Sequence, residues 1–159
     1  MDQRPETAYR PRRTCLSVPA SSVKMIEKAK SLPADDVFLD LEDAVAVDAK
    51  AQARSQAAIA LSEPGWSGQL RGVRVNDWTT PWTYTDVIEV VSTAGAQLDV
   101  IVLPKVTDVS HIQALDLLLT RLETTHGLPV GRIGIEAQIE NAQGSPISTR
   151  SRPARGYRR

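Results

Sequence analysis

Cysteine is nearly missing from this sequence. One thiol, Cys15, can close no internal disulfide, and with only two histidines there is no Cys/His cluster for structural zinc. Long apolar runs are missing too: none approaches the roughly 20 residues that span a bilayer, and the first ten residues are polar and mixed in charge, unlike a signal peptide. Aromatics make up 4% of the chain, and Trp66, Trp78 and Trp82 lack interleaved basic residues, which favours packing or loop-anchoring roles over a base-stacking platform. No Gly-rich phosphate loop follows the first predicted strand, where the sequence reads CLSVPASS, so a dinucleotide site is disfavoured. These absences predict a soluble, cytoplasmic protein without a membrane segment and without a nucleic-acid partner.

What is present suits one packed domain, with 42% hydrophobic and 24% charged residues in 159. The formal charge of zero hides an asymmetry. Residues 145–159, SPISTRSRPARGYRR, hold five arginines and no acid, so 14 basic residues face all 19 acidic ones in the remainder. An acidic body ending in a basic Pro- and Ser-containing segment looks like two unlike pieces.

Strand and helix patterns alternate after a disordered-looking start, residues 1–12. The spacing predicts strands over residues 14–18, 36–42, 70–76, 99–105 and 132–140. Between them fall helices from Ser21 or Ser22 to Lys30, from an Asp48 cap to Ser62, through about Thr93, and over Asp108 to Thr125. The last carries Val109, Ile112, Leu115, Leu118 and Leu122 as an amphipathic stripe. Units of about 30 residues require parallel strands with crossover helices, either an open doubly wound sheet or a (β/α)8 barrel.

Strand parity separates the two. Val37, Leu39 and Leu41 share one face while Phe38, Asp40 and Glu42 share the other; Val73 and Val75 oppose Arg74 and Asn76; Ile133, Ile135, Ala137 and Ile139 oppose Gly134, Glu136, Gln138 and Glu140. Lys105 falls on the face of Ile101 and Leu103. An open parallel sheet is covered on both faces and reads as nearly continuous apolar runs. Polar residues gathered on one face and toward C-terminal strand ends suit a barrel, whose active site lies at that rim. Ser17, Asp40, Glu42, Asp43, Arg74, Asn76, Lys105 and Glu140 would then share one mouth. His111 and His126 sit in or beside a helix and read as structural, and Cys15 as a small core residue.

Carboxylates from several strands joined by one Arg and one Lys can hold a hard divalent cation such as Mg²⁺, which leaves positions for an anionic oxygen substrate. With an Arg facing a carbonyl that becomes an enolate, the set is suited to C–C bond cleavage or formation. Residue types alone leave a second reading open, in which Asp40, Glu42 and Asp43 pair with Arg74 and Lys105 inside a barrel without metal.

The segments RRTCLSVPASSVKMIEKAKSLPADDVFLDLEDAV, RGVRVND, DVIVLPKV and GRIGIEAQIENAQG, in this order and spacing over residues 12–144, resemble the HpcH/HpaI aldolase and citrate lyase beta-subunit family, in its malyl-CoA and citramalyl-CoA lyase branch. The resemblance implies an α/β fold, a (β/α)8 TIM barrel of the phosphoenolpyruvate/pyruvate type. It also implies a Mg²⁺-dependent lyase cleaving a 3-hydroxyacyl-CoA into an acyl-CoA and a 2-oxo acid, and a homo-oligomer. By motif position it implies Glu140 as a metal ligand and Arg74 as the contact to the substrate carboxylate or thioester carbonyl. Asp40, Glu42 and Asp43 are then the acidic cluster orienting Arg74, Lys105 lines the mouth, and Arg13 is a candidate for CoA contact. A metal-dependent aldolase acting on a free 2-oxo acid is the alternative chemistry.

The family pattern continues past the glutamate strand to a second metal-ligand Asp, whereas Gly144 here is followed by the acid-free basic segment. A barrel of this type typically needs about 250 residues. The resulting expectation is a partial barrel domain over residues 13–144, truncated after about five strands, with a non-native or disordered tail over 145–159. Impaired lyase activity follows, or a non-catalytic fragment that associates with a partner chain. A basic tail that binds polyanions is the alternative for the last segment.

Overall fold

The computed structural model describes Arg10 and residues 12–140. Five strands alternate with four helices: β1 (Cys15–Pro19), α1 (Val23–Lys30), β2 (Asp36–Asp40), α2 (Lys50–Ser62), β3 (Leu70–Arg74), α3 (Thr83–Ala94), β4 (Val100–Leu103), α4 (Val109–Thr125) and β5 (Gly134–Ala137). All neighbouring strands pair in parallel, in the spatial order β1-β2-β3-β4-β5. A doubly wound sheet reverses direction at a switch point and binds its ligand there. Strictly sequential order has no such reversal and is the connectivity of a (β/α) barrel wall.

Face parity follows the sequence. Val37, Leu39, Val73, Ile101, Leu103 and Ile133 are fully buried and share one core with Ile26, Ala57, Leu61, Val90, Leu115 and Leu119 of the four helices. The opposite face carries Cys15, Ser17, Asp36, Phe38, Arg74 and Glu136. Gly72 lies on it, where an added Cβ would stand 3.0 Å from both Phe38 Cβ and Val100 Cγ1. The missing methyl leaves room for Phe38 beside it, and the Arg74 guanidinium stands 5.7 Å from the Phe38 ring centroid.

Local chemistry sets several boundaries differently from the sequence expectation. β2 ends at Asp40 because the following N–H groups, of Glu42 and Ala44, turn back onto the Asp40 carboxylate at 2.8 and 3.2 Å. Asp48 caps nothing: it lies in a short 3-10 turn, Val47–Ala49, and α2 begins without a side-chain cap. Ser22 and Asp108, by contrast, do cap α1 and α4. Cys15 is no core residue, since β1 pairs only with β2 among the described residues and the residue is exposed on the polar face. The tryptophans anchor loops, with Trp66 Nε1 donating to Ala60 O and Trp78 Nε1 to His111 O, both at 3.1 Å.

Among the described residues no helix is long and apolar enough to cross a membrane. The expectations for residues 1–9 and for the basic segment 145–159 lie outside the described residues.

Candidate active site

Parallel strands bring their C-terminal ends to one rim. Asp40 pairs in register with Arg74, and Arg74 with Val102. The Arg74 guanidinium grips Asp40 with two bonds, Nε to Oδ1 at 2.9 Å and Nη2 to Oδ2 at 2.7 Å. Such a fork fixes both position and plane of the guanidinium. Asp40 is fully buried. Burial alone would raise its carboxyl, yet the two Arg74 bonds and the N–H groups of Glu42 and Ala44 hold it below the ordinary range. Asp40 thus stays ionised and raises Arg74 in turn, through the same paired bonds.

Glu42 stands beside this pair, 3.5 Å from Arg74 Nε and 2.8 Å from Lys105 Nζ. It is 4% exposed, and burial pushes its carboxyl up against the pull of Lys105. Lys105 reaches it through an unusual backbone. Its φ of 51° is left-handed, a conformation that L side chains rarely adopt, and it overrides the parity that would place Lys105 with Ile101 and Leu103. The ammonium instead meets three carboxylates, Glu42, Asp43 at 3.6 Å and Asp77 at 3.9 Å. Glu42 is the main reason its pKa is raised.

Asp77, Lys50, Asp86 and Arg54 also belong to this cluster, beyond the residues the strand pattern assigns to it. Asp77 is buried and its carboxylate accepts from Thr79 N at 2.8 Å, so the Asn76-Asp77 pair is both a turn and part of the rim. Lys50, at the start of α2, inserts its ammonium beneath the loop that follows β2. Behind it, Asn76 donates through Nδ2 to Asp86 at 2.7 Å, and Asp86 accepts from Arg54 Nε at 2.7 Å. The signal available was a polar residue every few positions on otherwise apolar helix faces. An open depression of about 260 Å³ lies over these residues, lined by Glu42, Val45, Lys50, Asp77, Trp82 and Lys105 among others.

Asp40, Glu42, Asp43, Arg74 and Lys105 are therefore brought together. Glu140 follows β5 at the same end of the sheet and is exposed. Arg13 is not brought there. It precedes β1, at the N-terminal strand ends, and its guanidinium binds both Asp35 oxygens at 3.1 and 3.0 Å. Glu136 also points away from the rim cluster, pairing with Arg12 at 2.6 Å across the polar face.

The arrangement can hold one guanidinium rigidly at a strand end, with a buried anion behind it and a shielded carboxylate beside it. Hard cations take carboxylate and water oxygens. Among the described residues no group of three or more His, Cys, Asp or Glu suited to a metal occurs, and Glu140 is the exposed carboxylate at the end of the strand wall.

A model of the HpcH/HpaI aldolase/citrate lyase family matches residues 13–145. The L-malyl-CoA/beta-methylmalyl-CoA lyase of Cereibacter sphaeroides (strain ATCC 17029 / ATH 2.4.9) is 38% identical over 140 residues, which cover 88% of this chain and 44% of that protein. The (3S)-malyl-CoA thioesterase of Cereibacter sphaeroides (strain ATCC 17025 / ATH 2.4.3) is 40% identical over 105 residues, or 66% of this chain and 36% of the relative. Among solved structures, a citrate lyase beta subunit from M. tuberculosis, complexed with oxaloacetate and magnesium, aligns with a TM-score of 0.63 at 26% identity, covering 86% of this chain and 52% of that one. The chain spans less than half the length of the curated lyases it matches. The structural neighbours are TIM barrels, and the sequential five-stranded parallel sheet is part of that fold.

Proposed function

The chain belongs to the HpcH/HpaI aldolase/citrate lyase family, and from that premise we propose that its rim cluster serves the Arg-bearing side of a lyase site that splits a 3-hydroxyacyl-CoA into an acyl-CoA and a 2-oxo acid. The observation that carries this reading is the fork between Arg74 and the buried Asp40. In the cleavage direction the substrate hydroxyl loses its proton and its oxygen becomes the carbonyl of the 2-oxo acid. The C–C bond breaks, and its electron pair passes to the thioester as an enolate, which is then protonated to the acyl-CoA.

Negative charge grows on the thioester oxygen in this step, so a donor held beforehand stabilises the transition state more than the ground state. Arg74 has five N–H donors, and Asp40 accepts from two of its nitrogens. Because Asp40 is buried and ionised, Arg74 keeps its orientation without reorganising during the reaction. Lys105, 45% exposed, is placed to meet an anionic part of the substrate. Mg²⁺ at Glu140 would supply a Lewis acid to the oxygen of the 2-oxo acid. The magnesium in the M. tuberculosis citrate lyase beta subunit supports this choice of ion.

The test follows the Arg74 Nε–H signal by NMR while glyoxylate, oxaloacetate or acetyl-CoA is added with Mg²⁺, and measures release of glyoxylate from malyl-CoA. A 2-oxo acid or CoA thioester should shift the Arg74 signal, and in a full-length homologous chain the substitution equivalent to Arg74→Ala should lower turnover by about a hundredfold or more, as loss of an oxyanion donor does. Indifference of Arg74 to all three ligands would refute the assignment. Free CoA appearing without a 2-oxo acid would indicate thioester hydrolysis, the activity named for the thioesterase relative.

A further inference from the structure

We propose that Lys50 is a positioning residue for this site, fixing the loop between β2 and α2 so that the Glu42 carboxylate meets Arg74 and Lys105. The inference rests on the reading of that cluster as a lyase rim. Lys50 Nζ donates to Leu41 O at 2.7 Å, Glu42 O at 2.6 Å and Asn76 Oδ1 at 2.7 Å. An ammonium has three protons, and these three acceptors match them. Two acceptors are consecutive carbonyls of the loop that carries Glu42. From the other side, the Asp40 carboxylate accepts the N–H groups of Glu42 and Ala44.

The loop is therefore clamped between a buried cation on its carbonyls and a buried anion on its amides. Its backbone has little freedom while both remain. The third acceptor is itself oriented: Asn76 N and Nδ2 both donate to Asp86 Oδ2, at 3.0 and 2.7 Å, and Trp82 covers the ammonium at 5.5 Å from its ring centroid. Lys50 is 6% exposed, and burial lowers its pKa. A buried charge generally stabilises a fold less than an apolar side chain of like volume. Its contacts are instead those that set the geometry of the Glu42 backbone, which is a placement role.

The experiment reads Lys105 and leaves the lyase reaction aside. Lysine acetylation by acetic anhydride is followed residue by residue in the full chain, with exposed Lys24 as reference and buried Lys30 as a sentinel for unfolding. In Lys50→Met, Glu42 should withdraw and Lys105 should label about threefold faster or more, the effect of about half a pKa unit. Glu42→Gln, which breaks the pair directly, should do the same. Deleting the Lys50 charge without moving Glu42 would strengthen the Glu42–Lys105 attraction relative to its surroundings and slow Lys105, so the direction separates placement from simple electrostatics. Lys50→Gln, able to donate to one carbonyl, should fall between. Faster Lys105 labelling with Lys30 unchanged supports the proposal. An unchanged or slower Lys105, or Lys105 and Lys30 rising together as in mere destabilisation, overturns it. A failed lyase reading would show only in the Arg74 ligand experiment.

Discussion

Replacing Asp36 with Asn should make the protein more stable at neutral and alkaline pH, although it removes a partner of a basic residue. Asp36 opens β2 on the polar face of the sheet and is 1% exposed. Its Oδ1 has no hydrogen-bond partner among the described residues, and its Oδ2 lies 4.0 Å from Arg12, too far for a bond. Burial pushes its carboxyl up to about 6 from an ordinary 3.8, with Arg12 and the neighbouring Cys15 thiol opposing and Glu136 adding to the rise. A folded-state pKa above the unfolded one means that the folded protein holds the proton more tightly. The favourable contribution is then complete below 3.8, is lost between 3.8 and about 6, and becomes a constant penalty relative to the protonated state at higher pH.

Two pKa units correspond to about 3 kcal/mol. The gain in Asp36→Asn is expected at about 1–3 kcal/mol at pH 8, because the new amide also needs a partner and leaving it without one has a cost. Arg12 keeps Glu136 at 2.6 Å. Urea unfolding at pH 4 and pH 8, with equal slopes for both proteins, measures the difference. It should nearly vanish at pH 4, where the folded carboxyl is already neutral. A variant less stable than the parent at pH 8, or a difference independent of pH, would show that the Arg12 pair outweighs desolvation and would refute the reasoning.

Gly72→Ala should cost about 1–3 kcal/mol by overpacking, since its methyl group would press on Phe38 and Val100. Thermal unfolding measures the loss, and an unchanged midpoint would mean that the Phe38 ring beneath Arg74 is free to shift. Cys15 is exposed, yet burial of its thiol, together with Asp36 and Glu136, pushes it up to about 12 from 9.0. At pH 8 this leaves roughly a thousandfold less thiolate, offset by greater intrinsic nucleophilicity, so reaction with an aromatic disulfide should be roughly thirty- to fiftyfold slower than for a model thiol. A rate matching glutathione would contradict the placement of Cys15 beside the two carboxylates.

The sequence by itself determined the wall of the barrel and the pairing of Asp40 with Arg74 at the centre of the candidate site. Period-two alternation assigned Val37, Leu39 and Val73 to the helices and Asp40 and Arg74 to the opposite face, and parallel strands then left Asp40 and Arg74 at one end. That logic is local, because a strand's geometry alone fixes which side chains share a face. It also held information about Arg13: a residue that precedes a parallel strand lies at the end opposite the rim, where Asp35 binds it. Tertiary structure decided what depends on more than one element. Lys50 is an ordinary helical lysine in sequence, and only the packing of α2 against the β2 and β3 ends brings its ammonium to two loop carbonyls and Asn76. The Asp86 and Arg54 pair behind it joins the successive helices α2 and α3 across β3, between residues 32 positions apart. Lys105 departs from its strand's parity because a left-handed φ turns it toward three carboxylates contributed by other segments. Side-chain alternation is written residue by residue, whereas long-range charge pairing exists only once the strands and helices that carry the partners have packed.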